Sequence, residues 1–99
     1  MKYQLNSNVR VVTFQDTFCF RKGIWDFNEA ILDLTQEPQN LKIVYQEIVS
    51  QLVKGVAIDT ETYENTLEPE TFANLMEVIS GLYYNDMLML EDDYNLEEN

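Results

Sequence analysis

Two neighbouring runs of β-branched and aromatic residues, only two positions apart, constrain the fold of this chain more than any other feature. Residues 9–14 are Val-Arg-Val-Val-Thr-Phe, and residues 17–21 are Thr-Phe-Cys-Phe-Arg. These residue types favour strands, and two such runs separated by two residues predict a β-hairpin, although Gln15-Asp16 is not a preferred turn pair. In the second run the two phenylalanines alternate with smaller or polar residues, which predicts one buried face and one open face.

A first helix is predicted after the hairpin. Asp26 can cap it, because Glu29 follows at the capping-box spacing and Trp25 and Ala30 occupy the staple positions. The helix is predicted to end near Glu37-Pro38, since the residue before a proline rarely stays helical. The side chains that this helix would turn inward are Phe27, Ala30, Ile31 and Leu34.

Two later segments have a clear helical period. Residues 41–52 repeat apolar side chains at helical spacing, and Gly55 follows where a C-terminal cap belongs. Pro69 suits the first position of the next helix, which is predicted to run to Tyr84. Residues 56–67 are predicted to be an irregular acidic connection with a brief extended piece at its start.

Short extended segments are predicted at both ends of the domain, with Lys2 to Leu5 as a third strand and Met87 to Leu90 as a closing segment. The expected fold is therefore a small α+β domain of winged-helix-like character, with a three-stranded antiparallel sheet followed by three helices. One domain is expected over residues 1–90, and residues 91–99 are expected to form a mobile acidic tail.

Charge is distributed unevenly along the sequence. All six Lys and Arg residues lie in the first 54 positions with six acids, whereas the last 45 positions carry twelve acids and no base, so the net charge is −12. Because binding to phosphate depends on Lys and Arg, this pattern argues against a nucleic-acid partner. No run is apolar enough for a membrane span, no signal peptide is evident, and Cys19 has no second cysteine to pair with, which together predict a cytoplasmic protein without a membrane partner.

Patterns for catalysis or metal binding are weak. The chain contains no His, so Cys19 has no imidazole to activate it and is expected to be a half-buried strand residue. Residues 59–70 place acids at several positions of a calcium loop, but Glu64 stands where that loop needs Gly, and Pro69 interrupts it. We therefore expect a binding protein with no enzymatic activity, no cofactor and no metal site.

The hairpin, the Phe-Arg-Lys-Gly stretch at residues 20–23, an aromatic residue and a succession of helices together resemble a known family. They are similar to the PqqD-like precursor-recognition domains of pathways that make ribosomally synthesised, modified peptides, particularly the thiazole/oxazole and thiopeptide (bacteriocin) types. The resemblance covers residues 9–90 and rests on element order and spacing. It implies a three-stranded sheet packed on three helices, which binds the leader of a precursor peptide and presents it to separate modifying enzymes of the cyclodehydratase type.

The resemblance also implies where the leader binds, namely as an added strand between the third strand and the third helix. Carried onto this sequence, residues 17–21 become the edge strand and the helix at 69–84 faces it. Main-chain hydrogen bonds would give affinity, apolar pockets would select side chains, and Arg21 or Lys22 would pair with leader acids. An exposed edge strand would also allow a homodimer. The implied peptide-binding residues are Thr17, Phe18, Cys19, Phe20, Arg21, Lys22, Phe72, Met76, Ile79 and Tyr83.

An acidic DNA mimic is the alternative function. Twelve acids without a base over 45 residues suit an inhibitor of a nucleic-acid-binding enzyme, of the anti-restriction or anti-CRISPR type. A mimic should present its carboxylates along one continuous face and bind with strong salt dependence. Strand addition should instead depend on apolar anchors and only mildly on salt.

Overall fold

The computed structural model describes residues 1–23 and 28–91 of the chain. The α+β class is confirmed, with a three-stranded antiparallel sheet followed by three helices. The elements are β1 (Lys2–Leu5), β2 (Val9–Phe14), β3 (Thr17–Lys22), β4 (Asn28–Asp33), α1 (Gln39–Val53), β5 (Ile58–Asp59), α2 (Thr60–Thr66), α3 (Pro69–Tyr84) and β6 (Leu88–Leu90). Of the predicted acidic tail only Glu91 lies within the described residues.

The predicted hairpin forms the first half of an antiparallel sheet with the order β2-β3-β4. Phe14 pairs with Thr17 across a two-residue turn, and Gln15 in that turn has a positive φ of 54°. Phe18 and Phe20 point into the core and are 4% and 0% exposed, which confirms the predicted alternation along β3. The buried phenylalanines fix which face of the sheet packs on the helices.

The first predicted helix is wrong, because residues 28–33 form strand β4 along β3. Ala30 and Leu32 face the core and Ile31 faces outward, which is the two-residue period of a strand. The proposed cap Asp26 and the neighbouring Trp25 and Phe27 lie outside the described residues. Pro38, predicted to end a helix, instead occupies the N-cap position of α1.

A second antiparallel sheet joins the two ends of the chain, with the order β5-β1-β6. The strand predicted at residues 2–5 is present as β1, and the closing segment predicted at residues 87–90 contains β6. The two strands pair with each other from Tyr3↔Leu90 to Leu5↔Leu88. On its other side β1 pairs with β5, where Tyr3 lies opposite Ile58. The N-terminal strand therefore belongs to this second sheet rather than to the sheet that contains the hairpin.

The helices predicted at residues 41–52 and 69–84 are confirmed as α1 and α3, with Pro69 in the first turn of α3. Gly55 follows α1 with a φ of 82°, as expected for a C-terminal glycine. The connection predicted to be irregular contains α2, whose N-cap Asp59 accepts a 3.0 Å hydrogen bond from the backbone of Glu61. That local cap explains why a short helix starts here.

One apolar core lies between the β2-β3-β4 sheet and helices α1 and α3. The buried Tyr45 of α1 donates a 2.7 Å hydrogen bond from its hydroxyl to Oδ1 of Asn74 on α3, which links the two helices. The largest fully buried side chains are Phe20, Leu34, Leu52, Ile58, Leu75, Ile79, Met87 and Leu88.

Candidate functional site

The strand predicted to capture a peptide is the central strand of its sheet. Thr17–Lys22 pairs along its whole length with β2 on one side and with β4 on the other. An antiparallel neighbour on each side uses the backbone N–H and C=O groups that an added strand would need. The prediction that β3 is an edge strand is therefore wrong, because residues 28–33 form a strand and cover that edge.

The predicted site residues are divided between the core and two surfaces. Phe20 and Ile79 come together, but in the closed core, where a cavity of only about 10 Å³ remains. Cys19 and Arg21 lie on the opposite, outer face of the sheet. The remaining placements are as follows: Phe18 is buried, Thr17 and Met76 are half-buried, and Phe72 and Tyr83 are half-buried and pack on the core.

Lys22 and Arg21, the predicted partners of leader acids, each have an acidic partner within the chain. Nζ of Lys22 lies 3.0 Å from a carboxylate oxygen of Asp86, just beyond α3. Nε of Arg21 lies 3.0 Å from a carboxylate oxygen of Glu29 on β4. The hydrogen bond to Glu29 and the charge of that carboxylate raise the pKa of Arg21 further above its usual value.

Strand β2 has an open edge, because among residues 1–23 and 28–91 its only neighbour in the sheet is β3. In a hairpin closed by a two-residue turn the flanking pair, here Phe14 and Thr17, is hydrogen-bonded, and bonded pairs then alternate along the ladder. Val9, Val11 and Thr13 are therefore the β2 residues whose backbone groups point away from β3. The N–H of Val9 fits this pattern, since it bonds back to the carbonyl of Asn6 at 3.4 Å.

Two depressions lie along this open edge and meet at Val53, in the last turn of α1. The first, of about 350 Å³, runs from Thr13 to α1. The second, of about 470 Å³, is lined by β2 residues of both sheet faces, including Val11 and Val12, and so wraps around the strand's edge. We define the β2 groove by their lining residues, which are Leu5, Val9, Arg10, Val11, Val12, Thr13, Gln15, Phe18, Arg21, Gln46, Val49, Ser50, Val53 and Lys54.

The β2 groove is basic within a strongly acidic protein. In the described part of the chain no Asp or Glu lines it, whereas Arg10, Arg21 and Lys54 do. The opposite edge of the sheet, formed by β4, carries Glu29 and Asp33 instead. An extended acidic segment would therefore meet favourable charge at β2 and like charge at β4.

The turn at the end of the groove is tied to α1 and its surroundings by Asp16. Oδ2 of Asp16 lies 3.0 Å from Nζ of Lys42, and its backbone carbonyl accepts a 2.9 Å hydrogen bond from Leu34. These contacts hold the β2–β3 hairpin against α1. The walls of the groove are consequently fixed at the turn end. A ligand that binds there therefore loses less free energy to the ordering of the hairpin.

Sequence reasoning missed the groove, although one signal for it was present. Val53 falls outside the apolar stripe of α1, which runs through Leu41, Tyr45, Ile48 and Leu52, and it is exposed. An apolar residue outside its helix's buried stripe indicates a surface that something else can cover. The open edge of β2, in contrast, follows from the placement of β1 in the second sheet, which no local pattern records.

Comparison with protein-family models, with curated proteins and with solved structures finds no match for this chain. Within residues 1–23 and 28–91, no cluster of His, Cys, Asp or Glu has the arrangement needed to hold a metal ion. Over the same residues no helix combines the length and the apolarity that crossing a membrane requires.

Proposed function

We propose that this protein binds the leader segment of a ribosomally synthesised precursor peptide by β-strand addition and presents it to separate modifying enzymes. The open edge of β2 beside α1 is the observation that carries the proposal, and it moves the site from the strand where the sequence had placed it. A peptide strand laid there would bond to the outward backbone groups of Val11 and Thr13.

The β2 groove suits the side chains as well as the backbone of such a peptide. Alternate residues of an added strand point to opposite faces, so one set would enter the depression beside Val49 and Val53. The other set would lie along the outer face near Arg10 and Val12. Apolar residues in the first set and acidic residues in the second would match these surroundings.

The acidic helical half supports the second part of the proposal, presentation to enzymes. Residues 55–91 contain eight acids and no base, and Glu61, Glu64, Glu68 and Glu70 are all exposed around α2 and the start of α3. This surface is separate from the basic β2 groove. A modifying enzyme of the cyclodehydratase type with a basic patch could dock on it while the leader occupies the groove.

The same exposed carboxylates favour the second candidate, an acidic DNA mimic of the anti-restriction or anti-CRISPR type. A mimic would use the acidic surface alone, and the β2 groove would have no role. Its binding to a basic nuclease would weaken steeply with salt, because long-range charge pairs are screened. The two functions therefore predict different responses to salt and to changes in β2.

Proline substitution of exposed residues on the two open edges tests strand addition. Thr13→Pro removes an N–H that points out of β2, and Ile31→Pro removes one that points out of β4; both residues are exposed. We expect Thr13→Pro to weaken binding of a labelled synthetic leader, taken from the nearest precursor gene, by about tenfold or more, as one lost hydrogen bond and local strain imply. Ile31→Pro, the matched control, should leave affinity unchanged.

The affinity is measured by titrating each protein with the labelled leader at low and at high salt. Circular dichroism first shows that both variants are folded. Equal affinity of the folded Thr13→Pro variant and the original chain contradicts addition at β2, and selective loss in Ile31→Pro assigns the site to β4. No binding of the leader, together with salt-sensitive capture of a basic nuclease, supports the mimic instead.

A further inference from the structure

Arg10, on the open edge of β2, has a like charge directly across the strand pair. The register sets Arg10 opposite Arg21 of β3, and Arg21 opposite Glu29 of β4. Like charges placed directly opposite each other destabilise a strand pair. Arg21 has a carboxylate oxygen of Glu29 at 3.0 Å, whereas Arg10 forms no ion pair with any residue in 1–23 or 28–91. This row of charges is therefore balanced on its β4 side and unbalanced on its β2 side.

A strand added to β2 would place one defined residue on the unbalanced side of the row. Every strand pair in the described chain is antiparallel, so we take an antiparallel peptide. Val11, whose backbone groups point away from β3, would exchange both hydrogen bonds with one peptide residue. Arg10 would then belong to a non-hydrogen-bonded pair, in which Cα atoms are about 4.5 Å apart and side chains are closest. The peptide residue opposite Arg10 would consequently lie beside its guanidinium.

We infer that the leader segment bound by the β2 groove has the pattern apolar–acidic–apolar, with its acidic residue opposite Arg10. This inference rests on the proposed function and names the class of peptide that the groove selects. The acidic residue would complete a row in which Arg10 and Arg21 each have a carboxylate on the side away from the other. Arg10 is thereby the residue that determines specificity for the acid.

The two apolar positions follow from the other side of the same groove. Peptide residues next to the acid would point to the opposite face of the added strand and would lie beside Val9 and Val11. Leu5 and Val53 line the depression on that side, and Val53 is 58% exposed. Apolar peptide side chains would cover this aliphatic surface, whereas a carboxylate there would lose hydration without gaining a partner.

Lys54 supplies a matched control for Arg10. Both are exposed cations that line the β2 groove, but Lys54 lies at the depression beside Thr13 and outside the charge row. Removal of the Lys54 charge lowers the general attraction of the groove for acidic peptides and leaves the row unchanged. Arg10→Gln also relieves the repulsion from Arg21, so we expect this variant to fold, which circular dichroism checks.

Fluorescence anisotropy at low ionic strength tests the inference with synthetic probes. The first probe is the labelled peptide Gly-Ser-Thr-Val-Glu-Val-Thr-Ser-Gly, and the second has Gln in place of its Glu. We expect Arg10→Gln to weaken binding of the Glu peptide by about three- to fivefold and to leave binding of the Gln peptide unchanged. Lys54→Gln should change the ratio of the two affinities by less than about twofold, because its charge is not coupled to that peptide position.

Charge reversal gives a second readout that only a direct pairing explains. Arg10→Glu should bind a third probe, with Lys at the central position, more tightly than the Glu peptide, and Lys54→Glu should show no such exchange. The inference is overturned if the Glu peptide does not bind, if Arg10→Gln and Lys54→Gln have equal effects, or if Arg10→Glu does not prefer the Lys peptide.

The precursor leader separates failure of this inference from failure of the proposed function. A leader whose binding is sensitive to Thr13→Pro but equal for Arg10→Gln and the original chain overturns the inference and leaves strand addition of a leader standing. Probes that behave as expected, together with a precursor leader that does not bind, support the peptide pattern and reject the leader as its source.

Discussion

At the scale of single residues, both long helices end in the same way but with different residues in the left-handed position. After α1 the backbone N–H groups of Gly55 and Val56 bond to Leu52 and Gln51, and after α3 those of Asp86 and Met87 bond to Tyr83 and Leu82. Gly55 has a φ of 82° and Asp86 one of 68°. Both ends are Schellman motifs, and only the first has the glycine that avoids a steric cost.

Alanine at two glycines should change stability in opposite directions. Gly55 has a positive φ, whereas Gly81 lies inside α3, and an added Cβ meets no atom within 4 Å at either site. Gly55→Ala should destabilise by about 1–2 kcal/mol, the cost of a left-handed Cβ, while Gly81→Ala should stabilise by about 0.5–1 kcal/mol through helix propensity. Urea denaturation of both variants measures the two effects.

Because contacts of the added methyl group are absent at both sites, the backbone conformation alone decides the sign. Equal effects of the two substitutions would contradict the assignment of Gly55 to a left-handed cap. Gly55 could be predicted from sequence, because glycine after a helical stripe is a local signal. The positive φ of Gln15 in the hairpin turn could not, because Gln carries no such preference.

At the scale of elements, residues 28–33 show why the fold was only partly predictable. Ala30, Ile31 and Leu34 fit the apolar stripe of a helix. However, Ala30, Leu32 and Leu34 also fit a strand whose alternate side chains face the core. Pairing with β3 along six residues favours the strand over the helix. Such pairing between two segments cannot be deduced from the local sequence pattern of either segment. In contrast α1, α3 and the hairpin were predictable, because their periods and end signals are local.

The predicted edge strand at residues 17–21 was wrong for the same reason, because it depended on residues 28–33 not being a strand. Whether a strand is an edge depends on its neighbours, so once residues 28–33 were assigned to a helix, β3 became an edge in the prediction. The side-chain alternation of β3 remained correct, since it depends only on the strand itself. Thus the buried phenylalanines could be predicted from the sequence, and the open edge of the sheet at β2 could not.

Helices α1 and α3 are linked by the hydroxyl of Tyr45, and this link should make stability depend on alkaline pH. Burial, and then the charges of Glu37 and Glu77, raise the pKa of Tyr45 to about 12 from 10.0. Above pH 10 the unfolded chain releases this proton while the folded chain keeps it, so the free energy of unfolding falls as the pH rises towards 12.

Tyr45→Phe removes both the hydrogen bond to Asn74 and this titration. At neutral pH the variant should be less stable by about 1 kcal/mol, and the difference should shrink or reverse between pH 9 and 11. Urea midpoints across that range measure it, with the exposed Tyr84→Phe as control. A difference that stays constant with pH would show that Tyr45 titrates alike in both states.

At the scale of the whole molecule, the sequence's charge asymmetry becomes a spatial one. Every base lies in a strand, in α1 or at Lys54, the C-cap of α1, and the described chain beyond Lys54 carries acids only. Sheet β5-β1-β6 nevertheless joins the first strand to the last described one, so the basic and acidic halves of the sequence share one core. The fold is therefore held together against a substantial repulsion among its own carboxylates.

That repulsion predicts that salt stabilises this protein. At low ionic strength the Debye length is about 30 Å, comparable to the 39, 29 and 21 Å extents of the molecule, and it falls to about 3 Å at 1 M. Screening also weakens ion pairs such as Lys42–Asp16, but pairs of this kind contribute little, about 0–1 kcal/mol each. The urea midpoint should therefore rise with NaCl concentration.

Reversing one exposed charge separates these salt-dependent electrostatic effects from helix propensity. Glu64 lies exposed in the last turn of α2, so Glu64→Lys lowers the net charge from −12 to −10 and also suits the helix dipole. At low salt we expect a gain of about 0.5–1 kcal/mol for Glu64→Lys and about half of it for Glu64→Gln, both shrinking as salt rises. A gain that does not change with salt would assign the effect to helix propensity, because propensity does not depend on screening whereas repulsion among twelve excess negative charges does.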